Sequence, residues 1–237
     1  MRTVDLNADL GESAERWESG EDRELLALVT SANVCAGAYA GDRELTRLTC
    51  QTAAEHGIAI GAQIGYPDRE GFGRRAWNGS LSVLGESLVE QLTLLHEAAA
   101  QAGGHVAYVK PHGALYNRIV TDRQHAAIVV EAVAQVGPWR LLGLPGSVSL
   151  DLASQAGLAT AHEGFADRGY TPTGTLVPRS EPGAVLTDPA TVAAQAISLV
   201  GHVDSICVHS DSPGAIASLR AVRTACAADG IEIAAPW

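Results

Sequence analysis

A chain of 237 residues carrying 27 acidic against 16 basic side chains, with a formal net charge of −11 and no basic cluster interleaved with aromatics, speaks against nucleic acid as a partner. The length suits one α/β barrel as well as two small domains, and no stretch is long and apolar enough to span a bilayer. Cys35, Cys50, Cys207 and Cys226 form neither a C-x-x-C pair nor zinc-ribbon spacing, and "MRTVDLNADL" sets charges where a signal peptide needs an apolar segment, so thiols in a reducing, cytoplasmic protein are expected.

In chain order, short β-type runs alternate with longer helical patterns. "TVDLN" precedes Glu21 to Thr30, "SANVCAG" precedes Asp42 to His56, "IAIGAQIG" precedes Ser80 to Ala102, and "VAYVKPHG" precedes Thr121 to Gln135. "RLLGLPG" then leads into Ser147 to Ala156, "ATAHEGF" into Asp188 to Val200 and "SICVHSD" into Pro213 to Ala228, with "IEIAA" as a last short run. Apolar residues recur at three- and four-residue spacing in the helical patterns, several of which open with an Asp, Ser or Thr suited to capping. Such alternation predicts a parallel sheet, closed as a (β/α) barrel or open and doubly wound; either places chemistry at the carboxyl ends of its strands. The chain has no G-x-x-x-x-G-K-[ST], and no G-x-G-x-x-G opens a helix after the first strand.

Polar groups gather at those ends. The first run delivers Asn7, Asp9 and Glu12; the second Asn33, Cys35, Tyr39 and Asp42; the third Gln63, Tyr66 and Asp68. The fourth gives Lys110, His112 and Asn117, the sixth Glu163, Asp167 and Arg168, and the seventh His209 and Asp211. Asp42, Asp68 and Asp211 also suit helix caps or Asx-turns. Lys110 is the sole lysine in a chain that otherwise uses arginine, and a compact ammonium is not interchangeable with a forked guanidinium.

"VDLNADLGE", "SANVCAGAYAGD", "AIGAQIGYPDREGFGRR", "YVKPHGALYN", "EGFADRGY" with "GTLVPR", and "ICVHSD" resemble the successive motifs of the LamB/YcsF family, in register over almost the whole chain. The resemblance implies one distorted, TIM-like barrel of seven or eight strands over residues 1–237, similar to the glycoside hydrolase/deacetylase barrels. It implies one component, the A subunit, of an enzyme that hydrolyses 5-oxo-L-proline (pyroglutamate) to L-glutamate with ATP, acting with partner subunits B and C. ATP, with Mg²⁺ as counter-ion, would be bound with or by those partners; self-association stays open.

Opening a five-membered lactam through a phosphorylated carbonyl oxygen requires an anion-binding cation, a carboxylate to activate water and donors for developing charge. Lys110, Asp9 and His112 suit those roles in that order. Asn7, Glu12, Asn33, Tyr39, Gln63, Tyr66, Asn117, Glu163, Arg168 and His209 are the expected substrate contacts, and Asp9, Lys110, Glu163 and His209 should face one cavity. The chain departs from the family where Tyr39 and Gln63 stand in place of two usual histidines, so no bound metal is expected; were one present, Asp9, His112 and His209 would be the ligands to examine. A catalytically altered homologue that only binds its partners or a small carboxylate, and an independent amide or deacetylase-type hydrolase, are the alternatives.

Overall fold

The computed structural model describes residues 2–237. Strands β1 (Arg2–Leu10), β2 (Ser31–Cys35), β3 (Ala59–Ile64), β4 (Val106–Pro111), β5 (Arg140–Gly143), β6 (Thr160–Phe165) and β7 (Ser205–Cys207) pair in parallel, each with the next. β1 also pairs with β7, which closes the ring at seven strands and settles the choice between barrel and open sheet. β8 (Ile231–Ile233) is not a stave: it pairs with Arg2 to Val4 of β1, ahead of the stretch Asp5 to Asn7 that meets β7.

The helices are α1 (Ala14–Ser19), α2 (Glu21–Leu26), α3 (Arg43–Glu55), α4 (Leu81–Gln101), α5 (Gly113–Arg118), α6 (Arg123–Val136), α7 (Val148–Gln155), α8 (Pro189–Leu199) and α9 (Ala215–Ala228). Asp42, Ser80 and Asp188 cap α3, α4 and α8 as the sequence suggests, accepting from backbone N–H groups of their first turns, whereas Asp122 in place of Thr121 caps α6 and Ser147 before α7 makes no side-chain cap bond. The six-residue helices α1 and α5 lie outside the expected patterns, being too short for periodicity to mark them. The pattern expected over Glu21 to Thr30 ends at Leu26, because Thr30 is drawn to β1, where its hydroxyl meets Asp5 and its N–H donates to the Leu6 carbonyl.

β1 shows how two faces of one strand are used. Val4, Leu6, Ala8 and Leu10 belong to the large apolar core shared with the helices, whereas the alternate residues Asp5, Asn7 and Asp9 bond across the barrel interior. The barrel is thus packed outside by hydrocarbon and threaded inside by polar bonds. Gly61 on β3 makes room there, since a Cβ at that position would collide with the Tyr108 ring. Tyr108 packs against Trp237 and donates to Asn33 Oδ1 at 2.6 Å.

Candidate active site

The interior bonds form three layers. Lowest, the Asp5 carboxylate accepts from Thr30, Ser31 and Ser205. Above it Asn7 donates to Glu163 Oε1 at 3.1 Å and to Ser205 Oγ at 2.6 Å, while the Asn33 amide donates to Asn7 Oδ1 at 2.7 Å and Asp9 Oδ1 at 2.9 Å. Uppermost are Asp9, Lys110 and His112, which together with His209 line a cavity of about 760 Å³ at the carboxyl ends of the strands. Tyr66, Asn117 and Arg168 line it as well.

Lys110, 2 % exposed, is enclosed by acceptors. Its Nζ stands 2.7 Å from Glu163 Oε1, 3.3 Å from Asp9 Oδ1, 3.1 Å from Asn7 Oδ1 and 3.0 Å from Cys207 Sγ, with the Phe165 ring 5.2 Å away. Burial works against the charge, but Asp9, Cys207 and Glu163 outweigh it and push its proton affinity well above that of an ordinary lysine. The expected anion-binding cation therefore has its charge answered inside the protein by two carboxylates. Glu163, expected to face the cavity, lies beneath it, fully buried against Lys110 and Asn7. Asn7 and Asn33, expected as substrate contacts, are buried supports of the same network.

Burial also favours the neutral form of Asp9, yet the Lys110 ammonium and then His209 hold its carboxyl below the usual range, and it is ionised. Three residues on, Glu12 is pushed the other way. Burial, then the negative charges of Asp9 and Asp211, raise it well above an ordinary glutamate, and Arg16 at 3.8 Å only partly opposes them. Its Oε1 has no hydrogen-bond partner among the described residues. Glu12 also lines a second cavity of about 570 Å³, formed with Ser13, Arg16, Ser210 and Asp211. Two neighbouring buried carboxyl groups thus have their proton affinities pushed in opposite directions.

His112 is neutral, burial bringing it down to about 4. Its Nε2 lies 3.1 Å from the Phe72 carbonyl, which can only accept, so that nitrogen carries the proton. Nδ1 is then an acceptor, 3.3 Å from Gln63 Nε2 and 3.8 Å from Glu12 Oε1. The expectation of His112 as donor to a developing oxyanion gives way: its single N–H is already used. Tyr39 stacks on the ring at 4.1 Å, so Tyr39 and Gln63 fix the imidazole from the side and the edge. Neither they nor Glu12 line the main cavity.

His209 is oriented differently. Asp167 Oδ1 accepts from its Nδ1 at 2.9 Å, while Asp167 Oδ2 accepts the His209 backbone N–H and the Ser212 hydroxyl. Burial tends to neutralise Asp167, but the His209 and Ser212 contacts keep it low. With Nδ1 occupied and the ring against Phe165, the cavity side of His209 is Nε2.

The loop after β3 covers this floor. Asp68 folds it by accepting from Gly71 N–H at 2.9 Å, and the Gly73 carbonyl accepts the Ala114 N–H at the start of α5. Gly113 has φ +58°, and a Cβ there would press on the Gly73 carbonyl at 2.6 Å. Phe72 and Arg74 are thereby held beside His112 and the cavity mouth. Sequence reasoning missed Arg74 and Arg179 as cavity residues, although "GFGRR" and "GTLVPR" carried both.

Asp9, Glu12 and His112 each bring one ligand-type atom within 4.8 Å of the others, a group that takes Glu12 in place of His209. The set does not fit a divalent ion. It offers one imidazole, and Asp9 Oδ1 already accepts from Asn33 and faces an ammonium at 3.3 Å. Elemental analysis of the purified protein is expected to find far less than one Zn²⁺ or Mn²⁺ per chain; one retained ion per chain would overturn this and make those three residues the ligands.

A closed ring of seven parallel strands with helices between them and a polar cavity at the strands' carboxyl ends defines a class, the TIM-like α/β barrels. Within it, the chain belongs to the LamB/YcsF family, whose model matches residues 4–236. It is 48% identical to the 5-oxoprolinase A subunit of Cutibacterium acnes over 254 residues, covering 99% of each chain. It is 47% identical to the 5-oxoprolinase A subunit of Streptomyces avermitilis over 247 residues, covering 98% of this chain and 99% of the other. The crystal structure of a lactam utilization protein from Thermus thermophilus superposes with a TM-score of 0.90 at 37% identity, over 98% of this chain and 99% of that one. A family 4 carbohydrate esterase from Streptomyces lividans, at 11% identity and TM-score 0.55 over 98% of this chain and 91% of that one, shares the fold.

Proposed function

We propose that the chain is the hydrolytic A subunit of an ATP-dependent 5-oxoprolinase, acting with partner subunits B and C that bring ATP and its Mg²⁺. The observation that carries the chemistry is the pair of adjacent buried carboxyl groups whose proton affinities are driven apart, Asp9 lowered by Lys110 and Glu12 raised by burial and by Asp9. Asp9 is placed to take a proton from water attacking the lactam carbon, and its charge is kept ready by Lys110 and Asn33. Glu12, which lines the adjoining cavity and brings an oxygen within 4.8 Å of an Asp9 oxygen, is the proposed donor of a proton to the ring nitrogen as the C–N bond breaks, which a strained but neutral amide needs before its amine can leave. Phosphorylation of the lactam oxygen makes that carbon electrophilic enough for water; C–N cleavage then leaves an acyl phosphate, which a second water hydrolyses to glutamate and free phosphate. The similarity to proteins named as 5-oxoprolinase A subunits supports the substrate.

The test is glutamate formation from 5-oxoproline by the chain mixed with its B and C partners. Glutamate is expected with ATP and the full set of subunits and absent when any of these is left out. No glutamate from the complete mixture would overturn the reading, and amide or acetyl hydrolysis by the chain alone would replace it with an independent hydrolase.

A further inference from the structure

In a chain with a net charge of −11, the cavity mouth is positive. Arg74, Arg168 and Arg179 line it, and Asp211 is an acidic partner shared by two of them. Arg74 Nη2 lies 2.7 Å from Asp211 Oδ2 and Arg179 Nη2 lies 3.8 Å from Asp211 Oδ1. Arg168 is 4 % exposed and has no carboxylate in ion-pair range among the described residues. Its Nε and Nη2 donate to the Ala184 and Val177 carbonyls, which fixes the plane of the guanidinium. Burial first, and then the Arg179 charge, lower its proton affinity, with Asp167 partly opposing them: three guanidinium groups share one cavity mouth, and only two of them pair with Asp211. Lys110 below is already neutralised by Asp9 and Glu163, so the arginines are the positive groups left to meet an anion at the mouth.

We propose that Arg74, Arg168 and Arg179 bind a phosphoryl group at the mouth of the cavity. The excess of guanidinium over carboxylate charge favours an anion, and planar guanidinium donors suit phosphate oxygens. Arg168 and Arg179 flank the segment that follows β6, and Arg74 comes from the loop after β3, so an anion here sits above Asp9 and His209, both of which line the same cavity. The anion site stands apart from the function proposed above; assigning its phosphoryl group to a phosphorylated lactam rests on that function.

Calorimetric titration of the isolated chain with inorganic phosphate, at constant ionic strength, tests the site apart from that function. Phosphate is expected to bind, acetate about tenfold more weakly, and Arg179→Ala or Arg74→Ala to weaken phosphate about tenfold. Asp211→Asn is expected to act in the opposite direction, tightening phosphate several-fold, because it removes the competing carboxylate. That opposite sign separates a site from general damage, and thermal unfolding checks that each variant is folded. ADP binding no tighter than phosphate assigns the phosphoryl group to the lactam; much tighter binding assigns it to the nucleotide. No phosphate binding by the wild type, or binding indifferent to Arg179→Ala and Asp211→Asn, overturns the site, while the glutamate assay on the wild type with its partners independently judges the proposed function.

Discussion

Lys110→Arg is expected to reduce glutamate formation, assayed with the partner subunits, by well over tenfold although the charge is kept. The ammonium fills a space bounded by Glu163 at 2.7 Å, Cys207 at 3.0 Å and Asp9 at 3.3 Å. A bulkier guanidinium donating from a plane cannot enter without displacing the Asp9 carboxylate. Lys110→Ala is expected to reduce activity at least as far and also to lower stability by about 3–5 kcal/mol, because it leaves Asp9 and Glu163 buried without their cation. Thermal and denaturant unfolding measure this directly. The pH dependence carries the same signature. Asp9 is held below its unfolded value, so its contribution is present above about pH 4 and is lost as pH falls through its folded value. That acid loss should be smaller in Lys110→Ala, whose Asp9 lacks the ammonium. Wild-type turnover in Lys110→Arg would reduce the sole lysine to an accident of composition.

Glu12→Gln is expected to abolish most turnover, by a hundredfold or more, while raising stability. The amide keeps the shape of the protonated carboxyl group but has no acidic proton to give. Since the folded value of Glu12 is raised, its stabilising contribution is complete below its unfolded value of about 4.3 and is lost as pH rises toward the folded value. At neutral pH the wild type therefore carries a penalty for burying this acid that Gln lacks. Greater stability with lost activity marks a catalytic group retained against the interest of the fold. The pH–rate profile provides the readout a packing role would not move: Glu12→Asp should keep an alkaline limb that Glu12→Gln lacks. Equal turnover in wild type and Glu12→Gln would remove Glu12 from the reaction.

The sequence by itself determined the alternation of strands and helices, most helix starts and the row of polar residues at strand ends, because these depend on local periodicity and on capping within a few residues. Its motifs also identified the family. Barrel closure was decided only by tertiary structure, since the pairing of β1 with β7 joins Asp5 to Ser205, a contact that no local pattern encodes. The same holds for roles. Whether Lys110 meets a substrate or two carboxylates depends on residues as distant as Asn7, 103 positions away, and Glu163 bonds to Asn7 across 156. Proton affinities of adjacent acids such as Asp9 and Glu12 diverge only once burial strips them of water and fixes their neighbours. The arginine mouth follows the same logic: Arg74, Arg168, Arg179 and Asp211 come from separate segments, and their charges acquire a common meaning only where the folded chain brings them together.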